Sequence, residues 1–419
     1  MRYGRLFALA LVLSLPFMAC SRAPGNGEPG AAMAGGLHGA PVKIGVAIDS
    51  GSPEDEVRKA LVLSGLREAA QALQGRIADD PDRTDFGNKV VFRLVESRVR
   101  GEDREQLLRV LAEEGCALVC GVGPDYGGPA ATVARDYPGR RFAVIDAARD
   151  AYSDAAMGLA DENGSGRLAG PSAARAGSPE AGRPGSVCYV SFSEAEGSFL
   201  AGALAGLAVQ GKPGAKVGFM GGIDDAAAHR YEAGFIAGAA SENASLRRPG
   251  MILVQYCGRD ARARDDAAMA SAIARNMYGS GAEIIYHDAG ASSGGLFAAA
   301  ASQGKLAIGA DLDQGRAESR RGAQAREASA AIITSMEKRV DRALLLLAQE
   351  LIGTGTVRGG PRILGLAEGG TGLARNEENR ARLAPYSDRI DELVARIASG
   401  ELRVPEDAVQ ASRFLKELR

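Results

Sequence analysis

From Val42 onward, short apolar runs alternate with amphipathic stretches. A chain patterned this way folds as a parallel sheet with helices laid on both faces. VKIGVAID, from Val42 to Asp49, reads as the first strand. Ser52, Pro53 and Asp55 then open a helix with a cap, a first-turn proline and an acid in the order a helix start requires. Val57, Leu61, Gly65, Leu66, Ala69 and Leu73 give that helix one face for the sheet. VVFRLV, CALVCGVG and RRFAVID are further strands, with the helix EDREQLLRVLAEEG between the first two, so one doubly wound α/β unit ends near Asp146.

Residues 153–186 run through Gly, Ser, Ala and Pro with no apolar period, which predicts a disordered surface insertion. The alternation resumes at VCYVSF, where a second lobe is expected to begin, with Ser193 and Glu196 as a capping box for GSFLAGALAGLAVQ. AKVGFMGG, MILVQYC, AEIIYHDAG and KLAIGAD are its strands, and SAAIITSMEKRVDRALLLLAQELI reads as a strand leading into a helix. At 419 residues the chain has room for two cores. The expected division is lobe I over 41–150 plus 327–356 and lobe II over 187–326 plus 357–419. The amphipathic segments SDRIDELVARIASG and EDAVQASRFLKELR are expected to cover the second lobe.

A formal net charge of −2 and 24% charged residues give no basic surface for nucleic acid. Arg2 and Arg5 precede an apolar run from Leu6 to Ala19 that is too short to span a bilayer and is followed by Cys20. This layout predicts an export signal over 1–19, with Cys20 lipidated as in bacterial lipoproteins and residues 20–40 as a Gly/Ala/Pro-rich tether. Cys116, Cys120, Cys188 and Cys257 lie in or beside apolar runs and read as buried free thiols. With three His in the chain and no ligand spacing, neither a metal nor a cofactor is expected. No nucleophile elbow is present, which argues against an enzyme.

In doubly wound lobes, ligands sit at the carboxyl ends of the strands. That rule selects Asp49, Ser50 and Gly51 after the first strand, and Gly123, Pro124 and Asp125 after CALVCGVG. In the second lobe it selects His287, Asp288 and Gly290, then Asp311 and Asp313. Lys338 stands where the late strand meets its helix. Each of these Asp residues has a plain structural rival reading as the cap of a turn, and His287 as a packing residue.

The stretches LAEEGCALVCGVG, YPGRRFAVIDA, EGSFLAGALAG, KVGFMGGID, RYEAGFIAG, GAEIIYHDAG, AIGADLDQ, ITSMEKRVD and LGLAEGGTGLA, in that order, resemble the basic membrane protein family of bacterial lipoproteins. The resemblance covers Val42 to about Pro405. It implies a type I periplasmic-binding fold of two Rossmann-like lobes joined by a hinge of crossover segments. It also implies a membrane-anchored, extracytoplasmic binding component of an ABC importer that passes a purine nucleoside to a permease. By the same resemblance Asp49 meets the purine base, Asp311, with Asp313 in reserve, holds ribose hydroxyls, and Lys338 contacts the ligand.

One departure stands out. Where the family carries Ser-Phe-Asn in the first helix, this chain has Val57, Arg58 and Lys59. Arg58 stacks on a heteroaromatic ligand, or the pair binds an anionic nucleotide or sugar phosphate, or both are solvated on an exposed face and this paralogue has lost nucleoside binding, acting as a sensor or binding a different ligand.

Overall fold

The computed structural model describes residues 40–51, 53–80, 82–99, 101–152, 187–322 and 325–418. The expected signal, Cys20, the tether ahead of Ala40 and the insertion 153–186 lie outside the described residues. The strands are β1 (Val42–Ile48), β2 (Arg76–Ile77), β3 (Val90–Glu96), β4 (Leu118–Val122), β5 (Arg141–Ile145), β6 (Val187–Phe192), β7 (Lys216–Ile223), β8 (Ile252–Gly258), β9 (Ala282–Asp288), β10 (Leu306–Gly309), β11 (Ile332–Lys338), β12 (Gly360–Leu364) and β13 (Thr371–Leu373).

They form two sheets. The first has seven strands in the order β12-β6-β5-β4-β1-β3-β2, and the second has six in the order β13-β11-β10-β9-β7-β8. Every pairing in the first is parallel, and in the second only β13 runs antiparallel to its neighbour. Parallel strands covered on both faces are buried, which explains why β4, β6 and β1 from Ile44 onward read as largely apolar runs.

Three of the expected boundaries move, since β12, assigned from sequence to lobe II, lies at the edge of the first sheet. VCYVSF does not open the second lobe: β6 pairs with β5 on one side and β12 on the other, inside the first sheet. β11, assigned from sequence to lobe I, pairs with β10 and β13 in the second sheet. An apolar run shows that a strand is buried but not which sheet buries it, and here the chain changes lobe after these strands rather than before them. Lobe I therefore holds β1–β6, the helix Val340–Thr354 and β12. Lobe II holds the helix Glu194–Ala208 through β11, then β13 and the C-terminal helices.

The three crossings are hydrogen-bonded to one another. Ser193 N donates to Leu364 O at 2.9 Å and Arg339 N to Gly370 O at 2.9 Å. The expected capping box is not formed, because Ser193 caps no backbone amide with its side chain. The Glu196 carboxylate instead accepts the Leu366 N–H at 2.6 Å, holding the third crossing against the first.

Each sheet has a core on both faces. In lobe I, Ile44, Val46, Val62 and Leu66 pack with Leu344 and Leu347 on one face, while Leu108, Leu111, Val133 and Phe142 fill the other. In lobe II the helices Glu194–Ala208 and Ala226–Glu242 touch backbone to backbone. A Cβ at Gly202, Gly206, Gly234 or Gly238 would collide with a carbonyl oxygen of the facing helix. The glycines of AGALAG and YEAGFIAG are thus a packing device. The amphipathic helix Ser387–Ala398 buries Ile390, Leu393 and Ile397 in the same core, as anticipated.

All four cysteines beyond Cys20 are free, with Cys116, Cys120 and Cys188 buried and Cys257 partly exposed. Burial pushes the Cys116 and Cys188 thiols up to about 11, so they stay protonated and unreactive at neutral pH. Among the described residues no helix is long and apolar enough to cross a membrane.

Candidate ligand-binding cleft

The tips of β1 and β10, from different sheets, open onto a shared cleft of about 1130 Å³. Asp49, Ser50, Lys59 and Arg104 line one wall, and Ser293, Leu312, Gln314 and Arg320 the other. No aromatic ring is among the described residues that line it.

Outside that lining, a charged cluster spans the lobes. Lys338 Nζ, on a side chain 14% exposed, lies 3.1 Å from Asp146 Oδ1, 3.6 Å from Asp311 Oδ1 and 3.9 Å from Glu194 Oε1. The Tyr231 hydroxyl donates to Asp311 Oδ1 at 2.5 Å. Burial alone would lower the Lys338 pKa, but Asp146, Asp311 and Glu194 outweigh it and hold the ammonium above its ordinary range. Burial likewise favours protonation of Asp311, yet Lys338 and the Tyr231 hydroxyl keep it below the usual carboxylate range. Glu194 goes the other way: burial pushes it up, against Lys338 and Arg230. Arg230 extends the cluster, 3.3 Å from Glu194 and 3.1 Å from Asp150 of the first lobe.

Asp311 sits at φ 67°, in the left-handed region, and so does Asp146 at 64°. Asp tolerates this conformation better than most residues, and both carboxylates are turned toward Lys338 by it.

The other expected contacts have definite occupations. Asp49 receives Arg104 along one edge, with Nε at 3.0 and 3.1 Å and Nη2 at 2.6 Å. Asp125, 68% exposed, lies 3.1 Å from the same Nη2. The Ser50 hydroxyl donates to the Ser97 carbonyl. Gly51 and Gly123 take left-handed φ values of 115° and 125° at their strand tips, as turns there require. Lys59 lines the cleft but is paired with Glu96 at 2.8 Å, while Arg58 lies 3.9 Å from Asp55 and is not part of the lining.

His287 is 1% exposed and fully bonded: Nδ1 accepts the Ala289 N–H at 3.0 Å, which makes Nε2 the donor to Gln314 Oε1 at 2.8 Å. Burial lowers its pKa to about 4, so it is neutral and serves as a brace. Asp288 is buried 3.5 Å from Arg264, and burial pushes its carboxyl up. Gly290, at φ 54°, has the Arg264 carbonyl behind it. Asp313 caps the helix Gln314–Ser319 through the Arg316 N–H at 3.0 Å and accepts Asn376 Nδ2 at 2.6 Å, so the plain rival reading holds for it.

Arg104, Asp146, Glu194, Tyr231 and Gln314 were not selected from sequence. Asp146 follows β5 directly and Glu194 stands two residues after β6, so the strand-tip rule applied evenly would have reached both. Arg104 and Tyr231 lie inside helices and carry no local signal. Among the described residues no group of His, Cys, Asp and Glu could hold a metal ion.

Two parallel sheets joined by three crossings, with their strand tips facing across a cleft, define a type I periplasmic-binding fold. The chain belongs to the family described as ABC transporter substrate-binding protein, PnrA-like, which it matches over residues 43–408. That family is one of binding proteins, not enzymes. The chain is 33% identical over 231 residues to a CD4+ T-cell-stimulating antigen of Listeria innocua, a match covering 52% of this chain and 60% of that protein. It is 26% identical to basic membrane protein A of Borreliella burgdorferi over 99% of both chains. A shorter match, 34% over 27% of this chain and 29% of the other, is to the ABC transporter nucleoside-binding protein BmpA of Lactococcus lactis. Among solved structures, an ABC transporter solute-binding protein from Aeropyrum pernix superposes with a TM-score of 0.56 at 24% identity, covering 90% of this chain and 97% of that one.

Proposed function

We propose that this protein is the extracytoplasmic receptor of an ABC importer, anchored by a lipid on Cys20. In this reading it captures a purine nucleoside between its lobes and delivers it to a permease. The observation that carries the reading is the Asp311–Lys338 pair at 3.6 Å, set where both lobes converge. An ionised carboxylate there accepts two hydrogen bonds from a vicinal diol, and the ammonium beside it donates to a ring or hydroxyl oxygen. Closure around the solute couples binding to recognition by the permease, because only the closed form presents both lobes in one arrangement.

A second reading follows from the described lining residues, none of which is aromatic: a sugar-like polyol needs no stacking platform. A thermal-shift panel of nucleosides, nucleotides and sugars separates the two. At a hundredfold excess over its dissociation constant the true ligand adds about 2.7 kcal/mol of stability. If inosine, guanosine and adenosine all leave Tm unchanged while a sugar raises it, the nucleoside reading is wrong.

A further inference from the structure

We infer that Arg104, and not Asp49, makes lobe I's polar contact with the base, so that the cleft selects nucleosides whose bound edge presents hydrogen-bond acceptors. This rests on the nucleoside reading and specifies its chemistry.

Asp49 stands at the tip of β1, where a carboxylate would accept N–H groups from a base. Both of its oxygens are already engaged by Arg104, through Nε and Nη2. Nη2 also reaches Asp125, and Nη1 takes part in neither pairing. The guanidinium carbon lies 5.7 Å from the Tyr126 ring centroid, and Tyr126 is fully buried beneath it. A guanidinium held along one edge by a carboxylate and supported by an aromatic ring is a fixed plane. Arg104 is 21% exposed and lines the cleft, and among the described residues Nη1 has no bonded partner, so its two N–H bonds can reach a solute.

The polarity of the site is therefore reversed from acceptor to donor. A 6-oxo purine shows two acceptors, O6 and N7, on the edge a guanidinium meets, whereas a 6-amino purine sets an N–H₂ donor beside N7. An oxyanion would satisfy Nη1 as well, but the lining carries five acidic side chains against four basic ones, and such a field does not favour a phosphate. A neutral oxo-purine nucleoside fits both observations.

Calorimetric titration of the purified full chain with inosine, guanosine and adenosine tests this. The two oxo-purine nucleosides are expected to bind roughly tenfold or more tightly than adenosine. Arg104→Met keeps the stem and frees Asp49, and its preference should shift toward adenosine. Arg104→Lys, which keeps the charge and loses the fork, should retain the wild-type order with a smaller ratio. Should Arg104→Met fail to fold, the wild-type ratio and the lysine variant still decide. Adenosine binding as tightly as inosine in the wild-type protein overturns the inference and leaves the nucleoside reading standing. Binding of none of the three overturns that reading, and the inference with it.

Discussion

Lys338 Nζ lies 3.1 Å from Asp146 Oδ1, an ion pair that joins the tip of β11 in the second sheet to the tip of β5 in the first. The same ammonium faces Asp311 and Glu194, so one cation balances three carboxylates at the place where the chain crosses between lobes. Removing it leaves buried charges uncompensated. Lys338→Met is expected to cost about 3 kcal/mol in urea unfolding and to abolish ligand binding. Adding Asp311→Asn should restore part of the lost stability. An additive double mutant would show that the groups are not coupled.

The neutral His287 makes a pH prediction. Its pKa falls from 6.5 to about 4 because burial disfavours the imidazolium. A folded-state pKa below the unfolded value stabilises the protein above pH 6.5, and that contribution, about 3 kcal/mol, is lost as pH falls toward 4. An NMR titration should find the imidazole neutral at pH 5.5 with the proton on Nε2. A midpoint above 6 would contradict the bracing role.

Glu337 titrates with the opposite sign. Burial, then the charge of Asp313, raises its carboxyl from 4.5 to about 7. Its contribution is fully present below pH 4.5 and is lost as pH rises through 7, amounting to about 2 kcal/mol after allowance for its partial exposure. Glu337→Gln should match wild type near pH 4 and exceed it in Tm at pH 8. Equal melting temperatures at pH 8 would remove Glu337 as the source of the slope.

The helix pair of lobe II predicts a steric effect. A Cβ at Gly206 would stand 2.6 Å from the Ala239 carbonyl oxygen. Gly206→Ala should therefore destabilise by about 1–3 kcal/mol, despite the better helix propensity of Ala. Gly353→Ala, with open space around it near the end of the helix Val340–Thr354, should be neutral or slightly stabilising. Thermal unfolding of the two variants distinguishes packing from propensity.

The strands, the doubly wound pattern and the carboxylates at the tips were legible in the sequence. Each is written in the periodicity of neighbouring residues and in the residue that ends an apolar run, as with Val42–Ile48 and the Asp49 that follows it. Which sheet takes β6 and β11 was not legible, since a fully buried strand has the same composition in either lobe. Nor was the fate of the site residues. Asp49 meets Arg104 across 55 positions of chain, and Asp146 meets Lys338 across 192. Asp311 and Asp313 follow the same strand, yet a left-handed backbone turns the first toward Lys338 while the second caps a helix. Local pattern determined which segments are buried. The packing of distant segments decided which charges meet, because a salt bridge depends on where two side chains end in space and not on what surrounds either one along the chain.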